Sequence, residues 1–294
     1  MRVLIVGASG FLGGYLFEAF RAEHWVQGTF RHCPVKGLLH LDLTDPVVVR
    51  AVLVQMRPEV VLHPAAMPDV EYCETHPQET WAVNVGGTAN LADVIREIGS
   101  RLVFFSSDYV FDGQGGPYSE EVIPRPISAY GRQKAAGEER VRSAVPDCLI
   151  IRTTVVYGWE RARKNFVAKL IDDLRAGRSV RVPVDQVGSP TYVRNLAQVV
   201  KELAEKGHQG IWNVVGPELM SRYAFACLAA RVFHLPEERI VPVTTPELGQ
   251  VAPRPLQAGL RVDKVRSVIQ ARLLRPEEGL QDMRAREDEE GRLG

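Results

Sequence analysis

A doubly wound α/β fold, a parallel sheet covered on both faces by helices, followed by a smaller α+β lobe, is predicted by three features of this sequence. Short, almost wholly apolar runs alternate with segments of helical period through the first half. A glycine-rich turn follows the first run. After about Val156 prolines become frequent and the connections lengthen. Near-continuous apolar strands are buried on both faces, as parallel strands under helices must be. Ligands of such sheets sit at the carboxyl ends of the strands.

The elements follow in order. The run Val3-Leu4-Ile5-Val6 reads as a buried strand stopped by Gly7. Residues 11–22 have a helical period, 26–30 read as a strand and 46–56 as a helix with one apolar side. Val60-Val61-Leu62-His63 is the next strand, residues 80–98 a long helix and 102–106 a strand. Residues 130–143 form a helix and 148–152 a buried strand. Further on, a helix over 195–206 and a strand over 211–215 are expected to return to the main sheet. Residues 1–156, with a return segment at about 191–215, therefore make the first domain, and 157–190 with 216–294 the lobe. The charged tail 283–294 is expected to fray.

Composition excludes several classes. With 36 basic and 36 acidic residues among 294, the chain is not built to grip nucleic acid or an anionic membrane. No apolar run approaches the roughly 18 residues of a spanning helix, and the first strand is too short for a signal-peptide core. The four cysteines (Cys33, Cys73, Cys148, Cys227) are scattered, which suits a reduced, cytoplasmic protein. The seven histidines show no metal-ligand spacing, so no metal site is expected.

The first chemical constellation is Gly7-Ala8-Ser9-Gly10-Phe11-Leu12-Gly13, between a strand and a helix. Glycines there let the backbone turn tightly against a pyrophosphate, which the helix N-terminus then holds. Gly7, Ser9, Gly10, Phe11, Leu12 and Gly13 are the candidate dinucleotide-binding residues. No G-x-x-x-x-G-K-[ST] loop occurs, and Phe11 stands where a nucleophile elbow needs glycine. At the end of the second strand an acid would bind the ribose of NAD, and a base the 2′-phosphate of NADP. The segment Gly28-Thr29-Phe30-Arg31 has no acid up to Leu41, so Arg31 favours NADP(H), with NADH left as the alternative. Asp42, next to Leu43, is expected at the adenine edge or as the cap of the next helix.

The second constellation is Tyr130-Gly131-Arg132-Gln133-Lys134, whose Tyr and Lys share a helix face. The strand before it delivers Ser106-Ser107-Asp108 to the same sheet edge. A hydroxyl, a Tyr–Lys helix and a glycine turn on one sheet make ketone reduction the expected chemistry.

These stretches resemble an extended short-chain dehydrogenase/reductase, and within it the dTDP-4-dehydrorhamnose reductase group. Further matching stretches are Ala65-Ala66, Ala82-Val83-Asn84, Pro117-Tyr118-Ser119-Glu120, Asn165-Phe166-Val167, Asp185-Gln186-Val187-Gly188-Ser189-Pro190-Thr191 and Arg254-Pro255. The resemblance implies a Rossmann-type first domain and Ala65 and Ala66 beside the cofactor. It makes Tyr130 the general acid, Lys134 its cationic neighbour and a ligand of the nicotinamide ribose, and Ser107 the hydroxyl that bonds the carbonyl. Asn84 would lie in a helix behind the site. Asp108, Val155, Arg254, the 185–191 loop and the 67–72 segment become the candidate substrate contacts, with Arg254 on a phosphate.

The chain departs from that group at Val70-Glu71-Tyr72 and at Arg152-Thr153-Thr154-Val155, where a tryptophan of the sugar pocket is lost. Substrate identity is what these departures touch. Two readings follow: an NADPH-dependent reductase of a nucleotide-linked 4-keto-6-deoxy sugar, or a non-catalytic NADP-binding regulator similar to the β subunit of methionine adenosyltransferase. Pro68-Asp69-Val70-Glu71 is closer in wording to the second. An epimerase or dehydratase would need extra acid–base groups that the sequence does not reveal. A nucleotide sugar is the expected partner, and a homodimer stays open.

Overall fold

The computed structural model describes residues 1–32 and 34–290. In chain order the first half holds β1 (Arg2–Ile5), α1 (Phe11–Arg21), β2 (Trp25–Phe30), β3 (Leu39–His40), α2 (Pro46–Met56) and β4 (Val60–His63). It continues with α3 (Val70–Thr75), α4 (Pro77–Trp81), α5 (Thr88–Ile98), β5 (Arg101–Ser107), α6 (Ala129–Ala144) and β6 (Leu149–Thr153). Then come β7 (Val156–Tyr157), α7 (Phe166–Arg175), β8 (Val180–Pro183), β9 (Val187–Gly188), β10 (Thr191–Tyr192), α8 (Val193–Glu205) and β11 (Gly210–Asn213). The chain ends with β12 (Met220–Ser221), α9 (Arg222–Val232), β13 (Ile240–Val243), α10 (Asp263–Arg266), α11 (Pro276–Ala285) and α12 (Glu287–Glu290).

Seven strands form one sheet in the order β3-β2-β1-β4-β5-β6-β11. Every neighbouring pair is parallel, with Val3 opposite Val26 on one side and Val60 on the other. The order reverses between β1 and β4, and a crevice opens at the carboxyl end of such a switch point. Alternate strand residues feed two cores. Val3, Ile5 and Leu62 meet Leu16 and Phe20 of α1 and Leu196, Val199 and Leu203 of α8. Leu4, Val61 and Phe104 meet α2, α5 and α6 through Leu53, Leu91 and Val141. Each such side chain, fully buried, contributes about 1.5–3 kcal/mol.

A third core lies beyond the sheet. Tyr157, Val167, Leu170, Val182, Phe225 and Leu280 pack there, from β7, α7, β8, α9 and α11. Leu260, Val262, Val265 and Leu273, late in the chain, pack instead with the α1–α8 face of the sheet. The short pairs β7–β10, β9–β12 and β8–β13 stitch this second lobe together.

Two expectations need correction. The helix expected over 80–98 is broken into α4, a π-helical turn at Ala82–Gly87 and α5. An inserted residue in a helix swings side chains out of register. Here it accompanies Asn84, buried and bonded to the backbone of Met67 through Oδ1 (2.7 Å) and Nδ2 (3.1 Å). The tail does not fray at Met283, which is fully buried and whose carbonyl accepts the Trp159 indole N–H at 2.7 Å. Glu290 pairs with Arg194 and accepts the Tyr15 hydroxyl. One turn of apolar spacing, Leu280 and Met283, is enough when a lobe waits to cover it. Residues 291–294 of that expectation lie outside the described residues.

Candidate active site

The glycine turn sits at the switch point. Gly7 has φ +87°, and its amide donates to Thr29 Oγ1 at 3.0 Å. A Cβ on Gly13 would lie 2.1 Å from the Gly7 carbonyl oxygen, so only glycine lets α1 start this close to β1. The Gly10 amide turns back to the Gly7 carbonyl at 2.9 Å. Gly10 caps α1 with no side-chain bond, and no acid occupies the first turn, where Phe11 and Leu12 are half-buried. Ser9 and Gly10 are exposed. Free amides at an uncapped helix N-terminus are what a pyrophosphate needs, so this turn fits a dinucleotide.

Arg31 follows β2 and pairs with Asp42, Nε to Oδ2 at 3.1 Å, both side chains about one-third exposed. Burial alone would push the Asp42 carboxyl up, but bonds from Thr44 and the Arg31 charge hold it below the usual range. Asp42 does not cap the next helix; Asp45 does, accepting from the amides of Val47 and Val48. Leu43 is buried, with its carbonyl bonded by Asn90 Nδ2 at 2.9 Å. Ala65 and Ala66 follow β4 at the same edge, and the Ala65 Cβ closes the space beside Gly7.

The strand β5 is buried from Leu102 onward and ends at Ser107. Ser107 donates to Asp108 Oδ1 at 2.9 Å. Helix α6 starts under a Ser128 cap, its first amide donating to Glu74 of α3 at 2.7 Å. It brings Tyr130 edge-on to Tyr109, ring centroids 5.6 Å apart, and beside Ser107 at the end of β5. The close approach needs Gly131, where a Cβ would meet the Tyr109 carbonyl at 2.1 Å. One turn on, Lys134 is buried, its Nζ donating to the Phe105 carbonyl at 2.9 Å and lying 5.8 Å from the Tyr130 ring centre. Behind them Asn84 donates to Gln133 Oε1 at 2.7 Å, and Gln133 donates to Thr80 at 2.8 Å. These bonds tie α6 to the π-helical turn; Gln133 carries no sequence signal for this part.

Burial sets the protonation of the group. It raises the Tyr130 phenol above its ordinary value, with the Asp108 charge adding to the rise, so the phenol keeps its proton at neutral pH. It lowers the Lys134 ammonium to about 8, against the Glu138 charge. It raises Asp108 to about 6, although Thr154 and Ser107 hydrogen-bond the carboxylate. The edge therefore holds a protonated phenol, a hydroxyl, a buried cation and a buried carboxyl (Asp108) that the sequence reading assigned only to substrate contact.

Between this edge and the second lobe lies a cleft lined by Asp108, Thr154, Val155, Gln186, Arg222 and Pro255 among others. Val155 has φ +46°, a conformation that costs a β-branched residue about 1–3 kcal/mol and persists where surrounding structure enforces it. Arg254 is held inside the protein: Nη2 pairs with Glu71 Oε1 at 2.6 Å and Nη1 donates to the Tyr109 hydroxyl at 3.0 Å. Glu71 also accepts the Val251 amide at 2.9 Å, binding residues 251–254 to α3. Asp185 of the 185–191 loop is taken by the Thr245 amide and hydroxyl, leaving Gln186 to face the cleft. Arg222, absent from the sequence-derived site, opens α9 in the cleft wall. Nothing in its neighbours Ser221 and Tyr223 marks it.

Residues 1–288 match the family model described as RmlD substrate binding domain. The chain is 35% identical over 266 residues to methionine adenosyltransferase 2 subunit beta of Bos taurus, covering 87% of this chain and 79% of that protein. It is 35% identical over 258 residues to dTDP-4-keto-6-deoxy-D-glucose reductase of Streptomyces niveus, 86% of each. The crystal structure of dTDP-4-dehydrorhamnose reductase from Bacillus anthracis in complex with NADP superposes with a TM-score of 0.90 at 30% identity, over 97% of this chain and 98% of that one. The glycine turn at the switch point, the Ser107–Tyr130–Lys134 cluster and the match along nearly the whole sequence lead to one conclusion: the chain belongs to the RmlD substrate-binding-domain family.

Proposed function

We propose that the protein is an NADPH-dependent reductase of a nucleotide-linked 4-keto-6-deoxy sugar. The observation that carries this reading is the buried Lys134 ammonium 5.8 Å from the Tyr130 ring, with Ser107 at the end of the adjacent strand, at the sheet edge that also bears the glycine turn. The free amides that open α1 at Phe11, Leu12 and Gly13 would hold the cofactor's pyrophosphate, and Arg31 its 2′-phosphate. The bound nicotinamide supplies the hydride.

The chain's own residues do the rest. A substrate carbonyl entering the cleft meets the hydroxyl of Tyr130, and that of Ser107 once its single proton turns from Asp108 to the carbonyl oxygen; the two then bond and polarise that oxygen. Tyr130, protonated because it is buried, hands its proton to that oxygen as negative charge builds there. A positioned acid of this kind contributes about 10²–10⁴-fold. The phenolate left behind is favoured by the Lys134 ammonium, and burial keeps water from competing for the proton. Asp108 accepts the Ser107 hydrogen bond in the absence of substrate and releases it to the carbonyl oxygen. The lobe built on the third core closes the cleft over the sugar.

A second reading, a cofactor-binding regulator without turnover, is favoured by the similarity to the methionine adenosyltransferase subunit and by the Glu71–Arg254 tie in the Pro68-Asp69-Val70-Glu71 segment. NADPH absorbance in the presence of dTDP-4-keto-6-deoxyglucose separates the two. Steady oxidation dependent on the sugar supports the reductase; tight NADPH binding with no oxidation supports the regulator.

A further inference from the structure

We infer that Arg222 forms an oxyanion-binding site in the cleft wall that takes a phosphate or a carboxylate of the substrate. The inference rests on the reading of this cleft as the substrate site. Arg222 is the first residue of α9, whose cap is Ser221. A cation at the positive end of a helix gains nothing from the helix dipole, so the local fold does not explain its position. Its guanidinium lies over the Phe166 ring, Cζ 5.0 Å from the centroid, which fixes the orientation of the plane without neutralising it.

The charged and titratable groups facing Arg222 are Asp108, Tyr109 and Arg254. Asp108 already accepts the Ser107 hydroxyl, and among the described residues Arg222 forms no salt bridge. Burial first, and the second guanidinium next to it, push Arg222 below its ordinary range. Arg254 is itself incompletely satisfied: Glu71 and Tyr109 take its two terminal nitrogens, while its buried Nε has no partner among the described residues. Arg222 thus lines the cleft with no salt-bridge partner among the described residues, while Arg254 is held behind Tyr109 by Glu71 and adds a positive charge nearby. An anionic oxygen group placed against Arg222 would neutralise it, and planar guanidinium is the donor best shaped for it.

Calorimetry of the NADPH-loaded protein with dTDP, UDP-glucose and UDP-glucuronate tests this. If the oxyanion is the diphosphate, Arg222→Met weakens dTDP by about ten- to a hundred-fold. If it is a sugar carboxylate, wild type prefers UDP-glucuronate to UDP-glucose and Arg222→Met erases that preference. In both cases Arg222→Lys, which keeps the charge, restores most of the binding, and an unchanged NADPH affinity in each variant certifies the fold. Wild-type affinity for all three nucleotides in Arg222→Met, or no binding of any by the wild type, overturns the inference. Keto-sugar turnover is scored separately: anion binding lost with Arg222 but no wild-type turnover would leave this site standing and remove the reductase reading.

Discussion

Arg152 and Arg222 are treated by the fold in opposite ways. Arg152, on β6 opposite Ser106, is 1% exposed and pairs bidentately with Glu138 of α6, Nε at 2.9 Å and Nη2 at 2.7 Å. Its remaining nitrogen reaches the Glu120 carbonyl, its plane covers the Phe111 ring at 5.1 Å, and the Glu120 carboxylate receives the Asn213 amide of β11. Four segments are locked by one neutralised charge. Arg222 lines the cleft and, among the described residues, forms no salt bridge. A buried charge must be compensated, either within the chain or by a ligand. Where the chain supplies the partner the residue is architecture; where it does not, the ligand is expected to.

The largest effect should come from the sealed network. Glu138→Ala leaves Arg152 buried and uncompensated, so unfolding in urea should show a loss of about 3–5 kcal/mol. A loss below about 1 kcal/mol would mean that water enters there and that the contrast with the cleft is false. Next is Tyr130→Phe, which keeps the ring against Tyr109 and deletes the proton. Turnover should fall by at least about two orders of magnitude, with NADPH affinity and stability nearly unchanged. Near-wild-type turnover would remove Tyr130 from the chemistry.

An intermediate case is the Arg31–Asp42 pair, about one-third exposed. Arg31→Asp should weaken NADPH by about ten- to a hundred-fold and spare NADH. Equal NADPH affinity in the two proteins would reassign the 2′-phosphate to another residue. The smallest effect is a slope with pH. Lys134 titrates at about 8 when folded, against an ordinary value of 10.5. The unfolded chain therefore binds more protons between these values, and stability should rise with pH across that window. Turnover should fall over the same range as the ammonium is lost. Urea midpoints at pH 7, 9 and 10 for wild type and Lys134→Met read the first effect, which should vanish in the variant.

Much of this was legible along the chain because it is local. Pro46–Met56 and Val60–His63 occur at the expected bounds, since a proline start, a stripe of apolar residues and an apolar run are short-range signals. The glycine turn and the Tyr130–Lys134 spacing are local too. Residues 80–98 were misread because a π-helical insertion leaves the apolar period almost intact while moving Asn84 to a new direction. Arg254 was expected to be free for phosphate, yet Glu71, far away in sequence, has claimed two of its contacts with that segment.

By itself, the sequence determined the alternation of strand and helix, the phosphate-ready turn and the pairing of a tyrosine with a lysine on one helix face. These depend on neighbours within a few residues, whose geometry the backbone dictates. Only the tertiary structure decided which charges are spent inside the fold and which face a ligand. Glu138 meets Arg152, Glu71 meets Arg254 and, among the described residues, Arg222 forms no salt bridge because β6, α3, α6 and α9 pack as they do. Electrostatic partnership is fixed by distance in space, and distance in space is what a linear sequence does not carry.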